Sequence, residues 1–135
     1  MREKIAIVVS KFNNEITMKM KKTAVERAKK LKVEVAKIIE VPGAFEIPLA
    51  VKKILGDKKI NGIVTIGAII KGDTDHDVVI AHTVAKKLLD LSSEYKKPVS
   101  LGILGPNITW DQAEKRIEEY AVRAVDSVVE MLRKN

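Results

Sequence analysis

Proton chemistry and anion binding come together in one stretch of this sequence, GAIIKGDTDHDVVIAH at residues 67–82. It opens as a run suited to a buried strand, turns through Lys71-Gly72-Asp73-Thr74, and enters a helical period whose first turn carries His76. A helix N-terminus presents unpaired N–H groups and the positive end of a dipole, so Gly72, Asp73 and Thr74 can receive a phosphate without a dedicated lysine. The same residues also make an ordinary turn in which Asp73 or Thr74 is the N-cap, and Asp73 suits an anion only with its carboxylate turned away. His76 is placed either to exchange a proton with a ligand held by the preceding amides or to sit solvated. His82 follows about 600° further round the helix, roughly 120° away in direction, so the two histidines do not form a metal pair.

Three more positions can carry chemistry. VPGAFEIP, residues 41–48, places Pro-Gly between a strand and a helix with Glu46 in the opening turn; that carboxylate either favours the helix dipole or accepts from ligand hydroxyls. Phe12 follows the first strand directly, as a stacking platform or as a cover for the sheet end. Arg116, within DQAEKR at residues 111–116, is either a solvated ion-pair partner or a bidentate phosphate ligand presented to a neighbouring subunit.

The elements that must position these residues follow from hydrophobic period. IAIVV (5–9), VEVAKII (33–39), GIVTIGAI (62–69) and PVSLGIL (98–104) read as strands, and helices are expected at about 16–31, 44–55, 74–92 and 109–133. The last helix is opened by the capping-box pattern Thr109-Trp110-Asp111-Gln112. Alternating strands and helices predict an α/β fold: a three-layer α/β/α sandwich on a four-stranded, mainly parallel, flavodoxin-like sheet. Ligands in such folds gather at the carboxyl ends of the strands, where all the loops named above converge. The stripe Ile117, Ala121, Ala124, Val125, Val128 and Val129 is more than the late helix needs to cover its own sheet, so part of it is expected to meet a neighbouring subunit.

The chain has 135 residues, which suits a single domain spanning 1–135. There is no cysteine, which excludes disulfides, thiolate catalysis and cysteine metal sites and is compatible with a reducing cytosol. No segment reads as a signal peptide or a membrane span, and a cytoplasmic protein with no membrane partner is expected. The net charge of +7 attracts anions in general. Much of the excess is lysine on MKMKKTAVERAKKLK, and only five aromatics are present, so no nucleic-acid partner is expected. A non-catalytic basic binding module explains the charge but leaves the gathering of Phe12, Glu46, His76 and the glycine turn without a reason.

In combination and order, FN after the first strand, VPGAFEIP, GAIIKGDTDH and DQAEKR resemble the lumazine synthase family over nearly the whole chain. The resemblance implies a transferase of riboflavin biosynthesis that joins 5-amino-6-ribitylamino-2,4-pyrimidinedione to 3,4-dihydroxy-2-butanone 4-phosphate, giving 6,7-dimethyl-8-ribityllumazine, with no cofactor and no metal. It implies that Phe12 stacks on the pyrimidine, Ala44 and Glu46 bind around the ribityl chain, and Ile69 and Ile70 line the heterocycle site. Gly72, Asp73 and Thr74 become the phosphate turn, His76 the proton-transfer residue, and Arg116 the phosphate ligand of an adjacent subunit. The partner so implied is the protein itself, as a pentamer or a pentamer-based icosahedral shell. Many members carry an aromatic at the position of Leu101, where it closes the site from the neighbour. Bacterial members also have a longer N-terminal extension, and GILGPNITWDQA runs about one residue longer than their common pattern. These departures match archaeal-type members. The archaeal-type riboflavin synthase shares the fold, but a phosphate-binding turn favours the enzyme that uses a phosphorylated substrate.

Overall fold

Ile5 to Ser10 and Gly62 to Ala68 are buried without a break, which is why both runs read as continuous aliphatic sequence rather than as an alternation. In the computed structural model, which describes residues 2–134, they form the two central strands of a sheet. The strands are β1 (Lys4–Ser10), β2 (Glu34–Val41), β3 (Gly62–Ala68) and β4 (Val99–Leu104), in the order β2-β1-β3-β4. Each neighbouring pair is parallel. Between and after them lie α1 (Asn14–Lys30), α2 (Ile47–Leu55) preceded by a 3-10 turn at Ala44–Glu46, α3 (His76–Tyr95), α4 (Trp110–Lys115) and α5 (Ile117–Arg133).

The period of two in β1 divides the core. Ile5, Ile7 and Val9 pack with Met20 and Ala24 of α1 and Val125 and Val128 of α5. Ala6 and Val8 pack on the opposite face with Val51 and Ile54 of α2 and Val84 and Leu88 of α3. The result is the expected three-layer α/β/α sandwich with a parallel four-stranded sheet. Two polar ties fasten its outer layers. Arg27 donates to both carboxylate oxygens of Asp126 at 2.7 and 3.1 Å, joining α1 to α5. The Lys97 ammonium donates to the carbonyls of Leu55 and Asp57 at 2.9 and 3.0 Å, satisfying acceptors that the end of α2 leaves open.

Three expectations need correction. The helix expected from Thr74 begins at His76, with Asp75 rather than Asp73 or Thr74 at the N-cap. The helix expected over 109–133 is two helices, broken at Arg116, whose φ of −108° and ψ of 4° leave the helical region. Most of the apolar stripe of α5 is consumed inside the chain: Ala121, Ala124, Val125, Val128 and Val129 are buried against the sheet and α1, and Ile117 is half-buried against the same cluster. Exposed apolar side chains outside that stripe include Leu49, Val79, Leu89, Leu101 and Met131. Among the described residues no helix is long and apolar enough to cross a membrane.

The strand order decides where a ligand can sit. The chain leaves β1 for β2 on one side and β3 for β4 on the other, so the loops diverge and a crevice opens at the carboxyl ends of β1 and β3.

Candidate active site

A cavity of about 300 Å³ occupies this crevice. One lip comes from the end of β1. Lys11 and Phe12 continue the strand pairing by donating their N–H groups to Val41 and Pro42 carbonyls at 2.8 and 3.0 Å. Asn13 then turns the chain at φ 62°, a conformation asparagine tolerates, and its Nδ2 donates to the Ala68 carbonyl at 2.9 Å. The backbone is therefore fixed on both sides of Phe12, yet the phenyl ring remains 70% exposed at the cavity. It does not cover the sheet end. A rigidly held, exposed ring offers a face for stacking.

A second wall is the 3-10 turn, contributing Gly43, Ala44 and Phe45. Glu46 closes this turn by donating its backbone N–H to the Gly43 carbonyl at 3.1 Å. Its carboxylate caps no backbone group and folds back over Gly43, where an added Cβ would stand 3.2 Å from Oε1.

The opposite wall is the connection from β3 to α3, with Ala68, Ile69, Ile70, Gly72, Thr74 and His76 all lining the cavity. Residues 71–76 are exposed, and no side chain caps α3 at its N-cap, Asp75. Thr74 Oγ1 instead accepts locally from the His76 N–H at 3.3 Å. A Cβ added at Gly72 would meet nothing within 4 Å. The chain's own packing therefore does not call for glycine there, and the space beside it is free for a ligand. An uncapped helix start next to open space is suited to an anion.

The connection is held from behind by the loop after β4. Ile69 N–H donates to the Leu104 carbonyl at 2.7 Å and Lys71 N–H to the Ile108 carbonyl at 2.9 Å. Gly105 packs so closely that an added Cβ would lie 2.3 Å from the Ile69 carbonyl oxygen.

Of the residues singled out in the sequence, Phe12, Ala44, Ile69, Ile70, Gly72, Thr74 and His76 therefore meet around one cavity, whereas Glu46, Asp73, Leu101 and Arg116 do not line it. Leu101 lies half-exposed on the edge strand β4, over a separate shallow groove beside α3. Arg116, exposed at the break between α4 and α5, donates to the Gln112 carbonyl at 3.0 Å. Asn13, Gly43, Phe45, Ala68, Asp77 and Ile80 also line the cavity and were not picked out from sequence. Asn13, Gly43 and Phe45 adjoin residues that were, so the motifs could have supplied them. Asp77 reads only as a first-turn helix acid, and its burial is a tertiary fact.

A parallel sheet whose carboxyl edge opens into a cavity with an exposed aromatic on one lip and a histidine-bearing, uncapped helix start on the other defines an α/β protein with a small-molecule site. The chain belongs to the 6,7-dimethyl-8-ribityllumazine synthase family, whose profile matches residues 2–135. Relatives named 6,7-dimethyl-8-ribityllumazine synthase share the chain almost end to end. The one from Metallosphaera sedula is 54% identical over 131 residues, covering 97% of this chain and 87% of its own. That from Saccharolobus solfataricus is 47% identical over 131 residues, with 97% and 85% covered. The protein from Sulfolobus acidocaldarius is 47% identical over 130 residues, with 96% and 82% covered.

Proposed function

We propose that this chain, acting as one domain of a homo-oligomer, condenses 5-amino-6-ribitylamino-2,4-pyrimidinedione with 3,4-dihydroxy-2-butanone 4-phosphate to give 6,7-dimethyl-8-ribityllumazine, inorganic phosphate and water. The observation that carries this reading is the meeting of Phe12, Ile69, Ile70, Gly72, Thr74 and His76 around one cavity. The pyrimidine ring stacks on Phe12 and lies along Ile69 and Ile70, with the ribityl chain passing Ala44 towards Glu46. The phosphate rests at the Gly72–Thr74 turn and the start of α3, with the Asp73 carboxylate turned away. The pyrimidine 5-amine then attacks the ketone and expels water to form an imine, phosphate is eliminated, and the nitrogen of the ribitylamino group attacks the carbonyl generated by that elimination, closing the second ring with loss of another water. His76 carries protons between these steps, and the helix amides take up the charge of the departing anion. Holding two reactants in one cavity supplies much of the rate.

Helix-end amides balance only part of the charge of a phosphate dianion, and among the described residues no lysine or arginine lines the cavity. Arg116 of an adjacent subunit fills that role in our reading, and its guanidinium stands exposed on its own chain. The apolar side chains Leu49, Val79, Leu89 and Leu101, each more than half exposed, give the subunits surface to bury. We infer a pentamer or an assembly of pentamers. The cysteine-free sequence suits a reducing compartment, and we assign the protein to the cytoplasm.

Mixing the protein with the two substrates and following lumazine fluorescence tests the activity, and no product above the uncatalysed background would refute it. Mixing Arg116→Glu with His76→Ala tests the shared site. Each variant alone is impaired, and co-assembled subunits regain activity at sites that take both wild-type residues. Intact mixed oligomers with no recovery would sink the shared site.

A further inference from the structure

In the exposed approach to α3, residues 71–76, no side chain is buried until Asp77, which is 5% exposed. A carboxylate taken out of water is costly unless it is hydrogen-bonded. Here Oδ2 accepts from the backbone N–H of Asn107 at 3.0 Å. Asn107 lies in the loop after β4 at φ 58°, in the left-handed region. The contact therefore joins the residue next to His76 to the loop that leads into α4. Two further bonds hold this connection, Ile69 N–H to Leu104 at the end of β4 and Lys71 N–H to Ile108 in the loop, but the first lies before the exposed stretch and the second at its first residue. Beyond Lys71, Asp77 is the side chain that ties the turn and the helix start to this loop.

We propose that Asp77 is a positioning residue: by accepting from Asn107 it fixes the first turn of α3 against the loop after β4, and so sets where His76 and the phosphate turn stand relative to the bound substrates. This rests on the catalytic reading above. A carboxylate on the second helical residue is favoured by the dipole, but the dipole asks only for charge. The Asn107 bond asks for an oxygen at one place. Asp77→Asn keeps an oxygen there and loses the charge; Asp77→Glu keeps the charge and displaces the oxygen; Asp77→Ala removes both and leaves the Asn107 N–H without its partner.

The test measures lumazine formation and melting temperature for the wild type and the three variants, with kcat and the KM for each substrate read separately. Shifts of about 1 Å at a reacting centre cost on the order of 100-fold. Asp77→Ala and Asp77→Glu are therefore expected to lose about 10- to 100-fold in kcat and to raise the KM for the butanone phosphate, with the KM for the pyrimidinedione within about twofold. Asp77→Asn should stay within about threefold of wild type. In an amide exchange measurement the Asn107 N–H should be protected in the wild type and Asp77→Asn, and unprotected in Asp77→Ala. If Asp77→Ala does not fold, the contrast between Asn and Glu decides. Asp77→Glu matching wild type in kcat and both KM values, whatever its melting temperature, would reduce Asp77 to a structural residue and overturn the proposal. So would Asp77→Asn falling as low as Asp77→Glu, because an oxygen kept in place would then not be enough to hold activity. A wild type that forms no lumazine while its Asn107 amide is protected would instead overturn the catalytic reading.

Discussion

Gly72 and Gly105 lie on either side of the same cavity wall, and replacing each with alanine should have opposite consequences. At Gly105 the backbone has φ +111° and the new Cβ would lie 2.3 Å from the Ile69 carbonyl oxygen. Backbone strain in that region costs of order 1–3 kcal/mol. Restoring van der Waals contact needs about 1 Å of movement in a packed segment, worth roughly another 1–3 kcal/mol. Gly105→Ala should therefore destabilise the protein by about 2 to 6 kcal/mol, against a total stability of about 5–15 kcal/mol for an ordinary domain. At Gly72 the new methyl meets nothing within 4 Å and φ is outside the left-handed range, so the change in stability should stay within about 1 kcal/mol. That methyl would, however, occupy the space assigned to phosphate. Urea unfolding followed by the fluorescence of the single tryptophan, Trp110, at matched protomer concentration gives the first quantity. The midpoint should fall by about 1 M or more for Gly105→Ala and stay in place for Gly72→Ala. Steady-state kinetics give the second: Gly72→Ala should raise the KM for the butanone phosphate by about tenfold or more, the equivalent of about 1.4 kcal/mol, and leave the pyrimidinedione KM alone. A Gly105→Ala protein as stable as wild type would refute the packing argument, and a Gly72→Ala protein with unchanged phosphate affinity would remove the anion from this turn.

Replacing His76 with alanine should lower turnover by roughly 10- to 1000-fold with assembly intact, the loss expected when a proton carrier goes and positioning survives; unchanged turnover at a chemistry-limited step would take it out of the mechanism. Lys97→Met removes the ammonium that caps the Leu55 and Asp57 carbonyls, and should cost about 1–3 kcal/mol in urea unfolding with kcat per folded subunit unchanged. The Arg133 guanidinium, hydrogen-bonded to Glu3 at 2.9 and 3.3 Å, holds the Glu3 carboxyl below its ordinary range. A lowered folded pKa contributes stability above the unfolded pKa and loses it as pH falls through the folded value. Glu3→Gln should accordingly melt below wild type at neutral pH, with the gap closing as pH drops below about 4. A gap that persists at pH 2 would show that the pair's charge is not its source.

Period and composition carried the layout a long way. β1 to β4 fall where the β-branched runs stand, and the two central strands, β1 and β3, are buried on both faces and say so residue by residue. The capping box of α4 was equally readable: Thr109 N–H donates to Gln112 Oε1 at 3.0 Å, and Gln112 N–H to Thr109 Oγ1 at 3.2 Å. The break at Arg116 was not readable, since neither Gly nor Pro marks it and the apolar period runs through. The fate of the α5 stripe also lay beyond the sequence. How much apolar surface a helix can bury depends on what faces it, and α1 takes the share that the sheet leaves.

The same division runs through the site. Phe12, Gly72, Thr74 and His76 could be named from local rules, because a glycine turn before a helix and an aromatic after a strand are signals confined to a few neighbouring residues. That they share one cavity is a consequence of the strand order β2-β1-β3-β4, which places the ends of β1 and β3 side by side although about 58 residues separate them along the chain. Asp77 shows the limit most sharply. Its type and helical position say only that a carboxylate favours a helix start, and nothing in the local sequence says that the N–H of Asn107, 30 residues away, closes over it. Local propensity is written in neighbouring residues and can be read from them. Burial and long-range pairing depend on which distant surfaces the completed fold brings into contact, so only the tertiary structure decides them.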